Sequence, residues 1–182
     1  MSKIIAVLLC VICLLTLSKT IVALPQPSGL DEHVNELLKC SNEAMVVSRG
    51  VEIHYNQVPA SKISPASLKS GTPSNEVRRF LSKVAKVTIK TPIKAANLTI
   101  QPGDYLLGLQ EEKYGTGKWF ISLANSEGRE ITRFDPIMES LTPAICTRVM
   151  TIELERRPGS NLLKIKIKCG DLSISMKDTL EL

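Results

Sequence analysis

The sequence predicts an all-β protein: an antiparallel β-sandwich, or a barrel, of about eight short strands. The first observation is the alternation of apolar and polar residues over residues 84–125, which is typical of strands with one buried face. The second is that turn residues separate these alternating runs. The third is the composition, 43% hydrophobic and 23% charged in 182 residues, which fits one soluble folded domain.

Residues 1–23 have the pattern of a cleaved signal peptide. Lys3 precedes an almost unbroken apolar run over residues 4–17, and Ala23 offers a small residue at a cleavage point. We therefore expect a secreted or periplasmic protein. The alternative is a retained N-terminal membrane anchor, but residues 18–20 interrupt the run before the roughly 20 apolar residues of a spanning helix. Cleavage lowers the formal charge from +5 to +3 and leaves no predicted membrane span.

Residues 24–47 are predicted to form a linker and a short amphipathic helix, ahead of a β-sandwich domain over residues 48–182. The linker is rich in Pro, Ser and Gly. Leu30, Val34, Leu37 and Leu38 then recur at helical spacing, so one stripe of the helix can lie against a sheet.

The first predicted strand follows Gly50, where Val51, Ile53 and Tyr55 alternate with polar residues. Residues 59–75 are rich in Ser, Pro, Lys and Gly, a composition that predicts a long, mobile loop. Residues 76–83 then predict a helical turn. Its expected buried side is Val77, Phe80 and Leu81, and its expected exposed side is Arg78, Arg79 and Lys83.

The central meander has recognisable turns. Pro102 and Gly103 suit a type II turn that would close one hairpin. Residues 114–117 would form the tip of the next hairpin, and residues 125–128 would turn into a strand that holds Ile131. The apolar residues expected in the core of this region are Val87, Ile89, Ile93, Tyr105, Leu107, Leu109, Trp119, Ile121 and Leu123.

The last third of the chain predicts three further strands. Met150, Ile152 and Leu154 alternate with acidic residues, and Arg148 breaks the alternation, which indicates a β-bulge. Apolar residues at 163, 165 and 167 alternate with lysines. A turn at Gly170 then leads into the strand that contains Ile174.

The order of these motifs resembles a family of small exported bacterial β-proteins classed only as a domain of unknown function. The resemblance covers residues 48–182. It rests on the sequence VEIHY that ends at Tyr55, on Val77 and Arg79, on PGDYLLGL over residues 102–109, on Trp119 and Asn125, and on FDP at residues 134–136. It implies an all-β exported domain and no particular reaction. The polar and aromatic residues taken as ligand-binding candidates are His54, Tyr55, Arg79, Trp119 and Asp135.

Cleavage of the leader would leave three cysteines. Cys146 and Cys169 share the parity of the apolar residues in their strands, and a disulfide between them is therefore a candidate in an exported protein. Cys40 would then stay free. The alternative for all three is a small, buried, apolar side chain.

The sequence contains no motif typical of catalysis, of a metal or of a cofactor, so we predict no catalytic residues, metal or cofactor, while an enzyme remains one of the alternatives for function. His33 and His54 lie on predicted polar faces, outside any recognised nucleophile motif. Zinc-ligand spacing is also missing outside the signal peptide. Nucleic acid is an unsuitable partner, because export separates it from the protein and only 4% of residues are aromatic.

One basic cluster suggests an anionic surface, or another component of the cell envelope, as a partner. Glu76 is its single acid, and its members are Lys62, Lys69, Arg78, Arg79, Lys83, Lys86, Lys90 and Lys94. The simpler interpretation is a solvated strand edge, where lysines discourage pairing with other chains.

The first hypothesis for function is an exported, non-catalytic binding or scaffolding module. The second is a small periplasmic or secreted hydrolase with a site near the loop at residues 59–75. The third is a lipid or sugar carrier that uses the cavity of a barrel. An enzyme needs convergent polar groups in a concave site, whereas a binding module needs an exposed apolar or aromatic surface.

Overall fold

A computed structural model describes Leu38 and residues 41–95, 97–156 and 158–182. The predicted signal peptide, His33 and Cys40 lie outside these residues, as does all of the predicted N-terminal helix except Leu38, which is helical. Within these ranges, no helix has the length and apolar character needed to cross a membrane.

The fold is an antiparallel β-sandwich, which confirms the predicted class. One sheet has six strands, in the spatial order β1 (Asn42–Ser48), β2 (Val51–Gln57), β3 (Ala85–Ile89), β6 (Gly103–Glu111), β7 (Trp119–Asn125) and β8 (Glu130–Phe134). Every pairing in this sheet is antiparallel.

The second sheet has seven strands. Six of them follow the order β5 (Leu98–Ile100), β4 (Ile93–Ala95), β13 (Leu180–Glu181), β11 (Leu162–Gly170), β12 (Leu172–Met176) and β9 (Pro136–Ser140). The seventh, β10 (Thr147–Arg156), pairs with β11. Because β12 and β13 pair with different halves of β11 along one edge, β10 takes the other edge.

The apolar residues of the predicted alternating runs form the core, as expected. The apolar residues on the inner faces of β3, β6 and β7 are buried, with Tyr105 half-buried among them. In the second sheet the odd-numbered residues of β11 from Leu163 to Cys169 are buried, and its lysines lie on the opposite face. A register shift between Thr147 and Thr151 confirms the predicted bulge at Arg148.

The prediction of a mobile loop at residues 59–75 was wrong, because this segment contains two short helices. They are α1 (Ala60–Ile63) and α2 (Pro65–Ser70), and they bury Ile63 and Leu68. Pro65 begins α2 with a preset φ, and Gly71 ends it in the left-handed conformation at φ 70°. A few well-placed apolar residues therefore order a segment whose average composition is polar.

The helical turn predicted at residues 76–83 is confirmed as α3 (Asn75–Leu81). The side chain of Ser74 caps it by accepting a hydrogen bond from the Val77 amide at 3.4 Å. Val77, Phe80 and Leu81 are buried as expected, but Arg78 is only 15% exposed, contrary to the prediction.

One prediction about connectivity needs correction. The Pro102–Gly103 turn does not close a hairpin, because β5 before it pairs with β4 in the second sheet and β6 after it lies in the first. The chain crosses between sheets there, and it crosses again at Asp135 between β8 and β9. Turn residues such as Pro and Gly predict where the chain bends, but they do not predict which sheet the next strand joins.

The sheet also begins earlier than expected. β1 lies in the segment assigned to the linker and helix, and it pairs with β2 along its whole length. None of its residues is fully buried, so it lacks the buried stripe that identifies strands such as β3 and β11.

Candidate functional site

The site is built at the tip of the hairpin between β6 and β7. Glu111 and Trp119 form the last register pair of these strands, and both lie on the inner face. The indole nitrogen of Trp119 donates a buried hydrogen bond of 2.9 Å to the carbonyl of Leu68 in α2. The hairpin is therefore attached to the helical segment through its tryptophan.

Arg78 joins α3 to the same hairpin. Its Nη1 forms an ion pair with the Glu111 carboxylate, while Nη2 donates to the Gly71 carbonyl at 2.8 Å and Nε donates to the Pro73 carbonyl at 3.2 Å. The guanidinium carbon lies 4.1 Å from the centre of the Tyr114 ring, a cation–π contact, and 5.9 Å from that of Trp119. Arg78 thus links the segment before α3 to the hairpin between β6 and β7.

Glu111 remains ionised although its side chain is only 4% exposed. Burial alone would raise the pKa of this carboxyl. Hydrogen bonds from Arg78 and from the amides of Gly117 and Gly115, together with the charge of Arg78, hold the pKa below its usual value. The Gly117 amide lies 2.6 Å from Oε1.

These residues surround a shallow cleft of about 230 Å³. Tyr114 forms an open wall, since it is 73% exposed, and the other lining residues are Arg78, Ser82, Leu109, Gln110, Glu111 and Trp119. Gln110 donates through Nε2 to Ser122 at 2.9 Å, which orients its amide. The cleft therefore combines an exposed aromatic ring, oriented polar groups and an ion pair with no net charge.

Only one of the five predicted ligand-binding residues lines this cleft, namely Trp119. His54 is exposed on the outer face of β2, and Tyr55, the next residue, is buried on the inner face. Arg79 is exposed on α3, and Asp135 is exposed at the crossing between sheets, where its carbonyl accepts from the Lys177 amide at 2.8 Å. The structure does not bring these five residues together in the cleft.

The sequence analysis missed Arg78, Glu111 and Tyr114 as site residues, but it contained one usable signal. Glu111 has the parity of Leu107 and Leu109, so the alternation places an acidic residue where a core residue is expected. A buried carboxylate requires a cationic or hydrogen-bonding partner. That requirement would have directed attention to a nearby arginine.

A second cleft, of about 320 Å³, lies beside the hairpin between β10 and β11. Its lining residues are Glu155, Arg156, Pro158, Leu162, Lys164 and Thr179. Glu155 already forms an ion pair with Lys166 at 3.0 Å, and Arg156 donates to the Ser160 carbonyl at 2.8 Å. This cleft has no aromatic ring among its lining residues, and we regard it as the weaker candidate.

The predicted disulfide between Cys146 and Cys169 is not formed, since both thiols are free. Cys146 lies just before β10, directly after the short helical turn Pro143–Ile145, where it is exposed and its thiol lies 3.4 Å from the Thr142 carbonyl. Cys169 faces the core, where burial raises the pKa of its thiol to about 12, with a smaller contribution from Asp171. Cys169 is therefore a small, buried side chain of the core, which is the alternative that the sequence analysis gave for the cysteines.

The basic cluster is partly neutralised by carboxylates. Arg78 pairs with Glu111, Lys90 pairs with Glu52, and Lys69 pairs with Asp171 at 2.8 Å. Across the described part of the chain, no group of three or more His, Cys, Asp or Glu residues is placed to hold a metal ion.

The fold and the cleft together define a β-sandwich with an aromatic-walled cleft at one end. No family model, curated protein or solved structure matches the chain.

Proposed function

We propose that the protein is an exported, non-catalytic binding module whose cleft beside Tyr114 takes a neutral, ring-shaped polar ligand, such as one saccharide unit of a cell-envelope component. The pattern of the leader over residues 1–23 supports export.

The exposed Tyr114 ring is the observation that carries the proposal. One face of an aromatic ring can stack on the apolar face of a sugar, while neighbouring polar groups bind its hydroxyls. Gln110 offers its side-chain carbonyl oxygen, because the bond to Ser122 uses only its amide nitrogen. Arg78 uses three of its five N–H groups in the hydrogen bonds to Glu111, Gly71 and Pro73.

The electrostatics of the cleft favour a neutral ligand over an anion. The charge of Arg78 is compensated by Glu111, and the lowered pKa of this carboxyl keeps the compensation in place at neutral pH. The same low pKa makes Glu111 unsuited to donating a proton near pH 7, which supports binding over acid catalysis.

The test uses Trp119, the single tryptophan of the chain, as a built-in fluorescent reporter in the cleft. The purified protein is titrated with glucose, galactose and N-acetylglucosamine, and with inorganic phosphate as the anionic probe. We expect a saturable change in emission with at least one sugar and none with phosphate. A response to phosphate alone, or to no probe, would contradict the proposed ligand class.

A matched pair of variants locates the site. Tyr114→Ala should weaken sugar binding by about 3- to 10-fold, because it removes one aromatic stacking contact. Phe120→Ala is the control: its ring also lies against an arginine, Arg133, at 4.5 Å, but on the outer face of β7. Equal weakening by both variants would show that Tyr114 has no specific role.

A further inference from the structure

Tyr114 forms the open wall of the cleft, yet packing does not hold its side chain. The ring is 73% exposed, and among the described residues its one ring contact is with Arg78, whose guanidinium carbon lies 4.1 Å from the ring centre. A ligand that stacks on a freely moving ring has to order that ring first, and the ordering lowers its affinity. The position of Tyr114 therefore depends on the backbone that carries it and on Arg78.

The backbone at Tyr114 is a tight turn whose amides bind a carboxylate. Residues 113–116 form a β-turn, closed by a hydrogen bond of 3.2 Å between its end residues, and Gly115 takes a positive φ of 76° at its third position. Glu111 accepts hydrogen bonds from the Gly115 amide and, at 2.6 Å, from the Gly117 amide. Because the Gly115 amide belongs to the peptide unit that follows Tyr114, the carboxylate orients that peptide unit.

The same carboxylate holds the arginine that covers the ring. Oε2 of Glu111 pairs with Nη1 of Arg78, while the carbonyls of Gly71 and Pro73 accept from the other two nitrogens of the guanidinium. Oε1 of Glu111 is the atom that accepts from the Gly117 amide. The turn and the cation–π contact therefore share one buried acid at the end of β6, and each of its oxygens has its own donor.

We propose that Glu111 is the positioning residue of the cleft, because its carboxylate holds both the turn and the arginine that keep Tyr114 in place for a ligand. The loss of affinity expected without this carboxylate rests on the proposed sugar binding, whereas the positioning itself can be measured without a ligand. Glu111→Gln is the informative variant, because it keeps the size of the side chain. Its NH2 group has to face either Arg78 or the Gly117 amide, so two donors meet at one of these bonds.

The first measurement is amide hydrogen exchange, followed by NMR without a ligand. In Glu111→Gln the amides of Gly115 and Gly117 should exchange about 10-fold faster than in wild type, and this rise should exceed any rise at the amides of β11, which report global unfolding. Glu112→Gln is the control, since it removes an exposed charge from the same turn, and it should leave the two glycine amides unchanged. Unchanged exchange in Glu111→Gln, or an equal rise at β11, would overturn the proposal.

The second measurement is the affinity for glucose, galactose and N-acetylglucosamine in a double-mutant cycle. Glu111→Gln should weaken sugar binding by about 3-fold in the wild-type background and by less than about 1.5-fold in Tyr114→Ala, because no ring is then left to position. Equal weakening in both backgrounds would mean a direct contact or a general effect on the fold, and would overturn the proposal. If the wild-type protein binds none of these sugars, the proposed function fails, and the exchange rates alone decide whether Glu111 positions Tyr114.

Discussion

At the scale of single residues, the position of Glu111 explains much of the local architecture. A carboxylate on the inner face of a strand is costly unless it is paired. Arg78 supplies the charge, and the Gly117 amide supplies a second hydrogen bond. Because Arg78 also binds Gly71 and Pro73, pairing this one carboxylate orders the entry into α3 as well.

Arg78→Met should destabilise the protein by about 3 kcal/mol, because it leaves the buried carboxylate of Glu111 without its partner. The measurement is the free energy of unfolding from urea titrations at pH 7. Arg79→Met, at the exposed neighbouring arginine in the same helix, is the control and should cost less than about 1 kcal/mol. Equal losses for the two variants would mean that the ion pair is not the cause.

The lowered pKa of Glu111 predicts a definite dependence of stability on pH. The pKa of the folded state lies below the ordinary value of 4.5. The stabilising contribution of this carboxyl is therefore complete above that value and is lost as the pH falls through the lowered pKa. The difference in unfolding free energy between wild type and Glu111→Gln should shrink from ~pH 5 to ~pH 2.5. A constant difference over that range would contradict this assignment.

At the scale of elements, residues 59–75 close one end of the sandwich by contacting both sheets. Leu68 accepts the bond from Trp119 in the first sheet. Lys69 reaches the second sheet, where its ammonium lies 2.8 Å from Asp171 and 3.1 Å from the hydroxyl of Ser140. The ion pair with Lys69 also lowers the pKa of the Asp171 carboxyl. A segment that is polar on average is therefore held by contacts with both sheets.

Gly71→Ala should destabilise the fold by about 2 kcal/mol or more, because an added Cβ would lie 2.3 Å from the Gly117 amide nitrogen at a residue with positive φ. Gly115→Ala is the matched control, since Gly115 has a similar φ of 76° and nothing within 4 Å of its Cβ position. It should cost only about 1 kcal/mol. Thermal and urea unfolding would compare the two, and equal losses would rule out the close backbone contact.

At the scale of the whole molecule, the sandwich depends on three sheet crossings, between β3 and β4, at Pro102 and at Asp135, that the alternation of residues could not reveal. Residues on both sides of Pro102 alternate in the same way, although they lie in different sheets. The crossing at Asp135 makes β8 and β9 the edges of the two sheets. The alternation of apolar and polar residues shows which side of a strand is buried, but it does not show which strand pairs with it.

The proposed export makes a prediction for the chain as a whole. Expressed with residues 1–23 in a bacterium that has a periplasm, the protein should be recovered outside the cytoplasm with Leu24 at its N-terminus, as measured by intact mass. Ala23→Arg should block processing at that site, because a large charged side chain does not fit the small-residue requirement. An unprocessed wild-type chain in the membrane fraction would support the alternative of a retained anchor.

The sequence by itself determined the all-β class, the core residues of β3, β6 and β7, the bulge near Arg148 and the short helix α3. These follow from local rules, namely side-chain periodicity and turn chemistry. Only the tertiary structure decided the sheet order, the helices in residues 59–75, the free thiols and the cleft. Each of these depends on contacts between residues far apart in the chain, and the pair of Arg78 and Glu111, 33 residues apart, is the clearest case.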